Sequence, residues 1–216
     1  MKIHILLMLS VFLLSSAIYA GEELIVRSET EFIPTHENRF TLMPGVNPSM
    51  QKAGDITNIN LSYAKKMEDY WLDFTFGYTS GIFGKLTTNN ATATTMTDDQ
   101  LTDTKSNHTQ LGIGVGRETR YSQTLLPFTD IYEMMTADLT YNLFKEPTGG
   151  KSFSGPGMLA KFSVYKKFSE YFSAGTQFTY NLAVVKRSQE DDTETSSARS
   201  LTISYLTIGF DLSWSL

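Results

Sequence analysis

The chain closes on Ile208-Gly209-Phe210-Asp211-Leu212-Ser213-Trp214-Ser215-Leu216. Side chains on a strand alternate with period two. Ile208, Phe210, Leu212, Trp214 and Leu216 therefore share one face, and Gly209, Asp211, Ser213 and Ser215 share the other. A soluble domain seldom ends on a long strand with so apolar a face. A barrel with lipid outside and polar side chains inside requires that alternation.

The beginning of the chain agrees with its end. Lys2 precedes an almost wholly apolar run from Ile3 to Leu14, and Ser15-Ser16-Ala17-Ile18-Tyr19-Ala20 supplies small residues before Gly21. This reads as a secretory signal peptide over residues 1–20, cleaved after Ala20. The apolar run falls short of the roughly 20 residues that a spanning helix needs. Residues 21–38 are polar and without clear period, an N-terminal periplasmic segment, and residues 39–216 form one domain.

Composition removes several classes. Among 216 residues there is no cysteine, so an exported chain must hold together without disulfides. The net charge of -5 argues against nucleic acid as a partner. After the leader no apolar run is long enough for a transmembrane helix, so any membrane domain must be a closed barrel.

Eight segments carry strand character: 39–46, 56–64, 70–82, 109–117, 132–144, 157–165, 171–185 and 200–216. Pro44 interrupts the first. In the last, the apolar phase slips between Leu201, Ile203, Tyr205 and Leu206, Ile208, which predicts a bulge. Connections alternate in length. Residues 66–69 and 167–170 make tight turns, whereas 85–108, 145–156 and 186–199 are long and polar. Short periplasmic turns and longer external loops are the outer-membrane pattern, and both chain ends then lie on the periplasmic side. The stretch 118–131 is too long for such a turn and contains Leu125-Leu126-Pro127-Phe128. It predicts a small plug or helix, or a further strand pair that would make ten strands.

Lys65-Lys66-Met67-Glu68-Asp69-Tyr70-Trp71 and Lys166-Lys167-Phe168-Ser169-Glu170-Tyr171-Phe172 repeat one design. Tyr70, Trp71, Tyr171, Phe172 and Trp214 are expected to form a periplasmic aromatic girdle at headgroup level. The lipid-facing sets inferred from phase contain no Lys, Arg, Asp or Glu. The charges inside the strands, Asp73, Asp138, Lys161 and Asp211, fall on the other face. A soluble lipocalin-like carrier would show the inverse, with a greasy cavity and a charged exterior.

On this pattern the stretch Arg39–Leu216 resembles the small eight-stranded outer-membrane barrels of the OmpA/OmpX type. The closing residues Gly209, Phe210, Leu212, Trp214 and Leu216 resemble the C-terminal signal read by the barrel-assembly machinery, although that signal usually ends on Phe or Trp and this chain ends on Leu216. The resemblance implies an all-β, antiparallel up-and-down transmembrane barrel, a Gram-negative source and a monomer. It fixes no activity, because the architecture hosts several.

Eight strands leave an interior that side chains fill. Asp73, Asp138, Lys161, Asp211 and Arg39 are the candidate lumenal polar network, expected to be paired because unpaired buried charge is costly. No enzyme is expected. The histidines after the leader are His36 and His108, and Gln110 stands where a lipid deacylase on a lipid-facing strand would want serine. No cluster has metal-ligand spacing and no cofactor is implied. Asp98, Asp99, Asp103, Glu190, Asp191, Asp192 and Glu194 gather in two external loops, where divalent ions could bridge them to lipopolysaccharide phosphates. The expected partners are outer-membrane lipid and lipopolysaccharide, the assembly machinery, and an extracellular partner at loops 84–108 and 186–199. The expected role is structural or surface-interacting with no open pore. A small channel or transporter is the first alternative, and a soluble carrier the second.

Overall fold

The computed structural model describes residues 36–48, 56–83, 86–88, 105–121, 131–145, 152–187 and 200–216. The leader, residues 21–35 and most of the external loops lie outside the described residues.

Among the described residues nine strands follow in chain order: β1 (Asn38–Val46), β2 (Thr57–Met67), β3 (Tyr70–Ile82), β4 (Leu86–Thr88), β5 (Lys105–Thr119), β6 (Ile131–Lys145), β7 (Ser152–Lys167), β8 (Phe172–Lys186) and β9 (Ser200–Ser215). All but the three-residue β4 are wall strands. Each pairs antiparallel with its neighbour in sequence, and β1 pairs with β9, so the sheet closes into an eight-stranded up-and-down barrel. β5 and β6 pair directly, with Thr119 opposite Glu133, which leaves no place in the wall for a further strand pair from the segment between them.

Register sets the tilt. A line of paired residues leaves β1 at Asn38 and passes through Lys65, Leu72, Val115, Ala137, Ala160, Tyr180 and Leu206. It returns to β1 level with Pro48, a shear of ten residues. Eight strands with that stagger tilt by about 40° and leave a core that side chains can fill.

The alternation runs the way the sequence predicts. Ile59, Leu61, Phe74, Phe76, Leu111, Ile113, Val115, Leu139, Tyr141 and Met158 face outward, with Val115 58 % and Leu139 68 % exposed. Asn60, Asp73, Gln110, Asp138, Lys161, Thr179 and Asp211 face inward and are buried. A wall of this chemistry cannot be solvated, and the domain is a transmembrane barrel rather than a ligand carrier with a greasy cavity.

Four expectations change. β9 has no bulge, because its pairing with β8 runs unbroken from Phe172–Trp214 to Lys186–Ser200. Leu201, Ile203 and Tyr205 keep the inward phase and are buried, since the outer end of the lumen is apolar. Trp71 is not in the girdle. It is 4 % exposed and lies inside the barrel, because residues adjacent on a strand face opposite ways and Tyr70 has the outward place. Tyr171 and Phe172 both reach the outer surface because Tyr171 precedes β8. β5 begins at Lys105, so residues 105–108 belong to the wall and not to the loop. β7 begins at Ser152, so Gly155-Pro156-Gly157 is strand and not loop.

The two wall prolines sit where a ladder lapses. The β1–β9 register omits Met43 and Pro44, and the β7–β8 register omits Gly155 and Pro156, as expected for residues that cannot donate. At the first seam the strands approach closely. A Cβ on Gly209 would stand 2.0 Å from the Pro44 carbonyl oxygen and 2.6 Å from Gly45 Cα, so only glycine fits there.

β1 and β2 stop short of the outer rim. β4 covers the edge of β9 that they leave free, Leu86–Thr88 lying opposite Ile203–Leu201. The amide of Asn47 donates to the carbonyl oxygen of Leu206 at 2.9 Å between the two patches. An open sheet edge is thereby closed off.

Candidate functional site

The lumen is layered. At the end that carries the tight β2–β3 and β7–β8 turns, periplasmic in the expected orientation, Ala64, Trp71, Tyr132, Met134 and Tyr165 form one buried apolar cluster. At the outer end Ile56, Phe83, Phe144, Phe153, Ala183, Val185, Leu201, Ile203 and Tyr205 form another. Between them lies a belt of polar side chains.

The five residues expected to form one network fall into two groups. Lys161 on β7 pairs with Asp73 of β3, and with Asp138 of β6 at 2.9 Å. Thr75 Oγ1 lies 2.7 Å from Asp73 Oδ2 and 2.9 Å from Asp138 Oδ2, and Ser62 donates to Asp73. Arg39 on β1 pairs with Asp211 of β9 at 3.3 Å and donates to Ser213 at 2.9 Å. Its guanidinium carbon sits 4.1 Å from the Tyr165 ring centroid, which ties this pair to the periplasmic cluster. Among the described residues no hydrogen bond joins the two groups.

Glycine makes room for the first group. Gly112, Gly114 and Gly116 occupy successive inward places on β5. A Cβ on Gly114 would meet Asp138 Oδ1 at 2.3 Å and the Ala137 carbonyl oxygen at 2.1 Å. The missing side chain is the space that Asp138 occupies.

Three further groupings were beyond sequence reasoning. Gln110 donates to Asn60 at 3.4 Å and accepts from Asn181, so side chains from β2, β5 and β8 meet across the lumen. His108, completely buried, has Nδ1 2.8 Å from Tyr205 Oη and Nε2 2.9 Å from Asn142 Oδ1. Tyr205 Oη lies 3.0 Å from Thr79 Oγ1. A consistent assignment has the Thr79 hydroxyl donating to Tyr205, Tyr205 donating to Nδ1, and Nε2–H donating to Asn142. Lys167 pairs with Glu118 at 2.8 Å and stands 4.0 Å over the Tyr132 ring, which Arg120 also faces at 4.5 Å. Phase alone could have marked these residues as inward. Their partners depend on strand stagger.

This chemistry is that of a filled plug. With both ring nitrogens engaged, His108 has no free nitrogen to act as a base. Among the described residues no group of His, Cys, Asp and Glu could hold a metal ion. A groove of about 600 Å³ lies on the outer wall, lined largely by the lipid-facing Phe40, Leu42, Leu61, Tyr63, Phe74, Phe76, Leu111 and Trp214. The acidic residues of the loops lie outside the described residues.

On the outer surface Tyr70, Tyr171 and Trp214 are exposed at the periplasmic end, and Phe172 stands 5.7 Å from Trp214. Tyr78, Tyr141 and Tyr180 are exposed nearer the other end.

No family model matches the chain, and no curated protein is similar to it in sequence. Among solved structures it is similar to Neisserial surface protein A, at 11 % identity over 82 % of this chain and 94 % of that one, with a TM-score of 0.49. It is also similar to Ail, the attachment invasion locus protein of Yersinia pestis, solved alone and with the heparin analogue sucrose octasulfate. Those matches have 11 % and 12 % identity over 82 % of this chain and 95 % of Ail, with TM-scores of 0.35 and 0.34.

Proposed function

We propose that the chain is a monomeric barrel of the bacterial outer membrane, structural or surface-interacting in role, with a lumen closed to solutes and its outer loops turned to lipopolysaccharide or an extracellular partner. One observation carries the reading: oily rows line the outer wall, and paired polar side chains fill the centre between two apolar clusters. An ion entering would have to shed its water against Phe144 and Val185 at one end and Trp71 and Tyr165 at the other. Export by the leader and insertion by the barrel-assembly machinery belong to the same reading, as do the acidic loops as sites where divalent ions bridge to lipid phosphates. No catalytic role is assigned to any residue.

Fractionation with and without detergent, together with a gel shift between boiled and unboiled samples, tests the reading. A folded outer-membrane barrel runs anomalously until heated. Release in soluble form without detergent would overturn it. Steady single-channel currents in planar bilayers would instead favour a channel. Calcium titration with no change in loop order or melting would remove the bridging role.

A further inference from the structure

Charge on the lipid-facing wall has one dominant sign. Lys105 opens β5, Lys145 closes β6 and Lys186 closes β8, and all three are exposed on the outward face at the outer end. They stand level. Asn107 faces Lys145, and Ser154, two places along from Lys145's partner Ser152, faces Lys186. From β5 to β8 the lysines therefore step down the paired line by four residues over three strands. A shear of ten over eight strands requires nearly four for one height. Lys145 lies four residues beyond Tyr141 on the same face, and Lys186 six beyond Tyr180. At about 2.5 Å of axial rise per residue, the ammoniums sit ~10–15 Å outside the tyrosines, in the headgroup layer. Their outward neighbours Asn107, Ser152, Ser154 and Thr202 are uncharged. Among the described residues no carboxylate pairs with them.

We infer that this lysine collar binds the phosphate groups of an outer-leaflet glycolipid. The inference rests on the outer-membrane reading and names the lipid chemistry that the wall selects. Lysine is a compact charge suited to phosphate, and lysines near an anionic leaflet add their effects. The periplasmic end supplies an internal contrast. Lys65, Arg117 and Lys166 also face outward there, but they are spread over β2, β5 and β7 rather than gathered on β5, β6 and β8.

The test uses the full-length barrel folded in phosphatidylcholine nanodiscs. These contain either no additive, a bisphosphorylated glucosamine-disaccharide lipid, or the same lipid dephosphorylated. The temperature at which the heat-modifiable band is lost reports binding. The phosphorylated lipid is expected to raise it and the dephosphorylated one to leave it unchanged. K105Q/K145Q/K186Q removes the shift and weakens the apparent affinity roughly a hundredfold. K105R/K145R/K186R and K65Q/R117Q/K166Q keep the shift. An equal shift with the dephosphorylated lipid, or an undiminished one in K105Q/K145Q/K186Q, overturns the inference. The latter result would mean that the loop carboxylates already neutralise the lysines. Loss of the band's heat-modifiability in every lipid would instead overturn the barrel reading.

Discussion

Lys161 stands buried between two buried carboxylates, and the fate of the trio depends on how many members are changed. Lys161→Met leaves Asp73 and Asp138 buried without their cation and is expected to cost about 3–5 kcal/mol. Adding Asp73→Asn and Asp138→Asn should recover most of that, as read from urea midpoints of the folded band. At His108, substitution by Phe leaves the Asn142 amide oxygen without its donor and the Tyr205 hydroxyl with Thr79 alone, for a loss of about 1–3 kcal/mol by the same measurement. Gly114→Val drives a side chain into Asp138 and should abolish the unboiled fast-migrating band altogether. The inward charges were legible because period two sorts Asp73, Asp138, Lys161 and Asp211 onto one face. Their division into a trio and a pair was not, because partners across a lumen are chosen by stagger. His108 escaped as a lumenal residue because Lys105, Ser106 and Asn107 give no apolar alternation by which to extend β5.

The elements carry the clearest contrast between reading and outcome. The apolar phase of β9 changes halfway, yet its backbone does not, because the lumen itself turns from polar to apolar toward the outer rim. A phase change marks a bulge only if the core keeps one chemistry throughout. Gly155-Pro156-Gly157 imitates a turn for a similar reason. The glycines answer crowding from β8, and the proline uses a gap in the ladder. The two tryptophans offer a direct check. In Trp71→Phe the remaining Trp214, 43 % exposed on the wall, should be quenched by brominated lipid. In Trp214→Phe the remaining Trp71, inside the barrel, should not be.

For the whole molecule, wall and lumen make separate demands that one alternating pattern satisfies. That is why the eight-stranded architecture could be read from sequence while the loops, which obey no such pattern, left the partner open. Removing the central charge should not create a conduit, since the apolar clusters at the two ends remain. Lys161→Met is expected to show no more current in planar bilayers than the parent chain. The seam between first and last strands has a consequence of its own. Asn38 and Leu216 exchange backbone hydrogen bonds of 3.3 and 2.9 Å, so residues far apart in sequence zip the cylinder shut. A ribosome emitting this chain from its N-terminus thus releases β1 with half of its hydrogen-bonding edge unmet. That edge finds its match only once β9 has been made, so the wall's first strand and its last must meet before there is a cylinder at all.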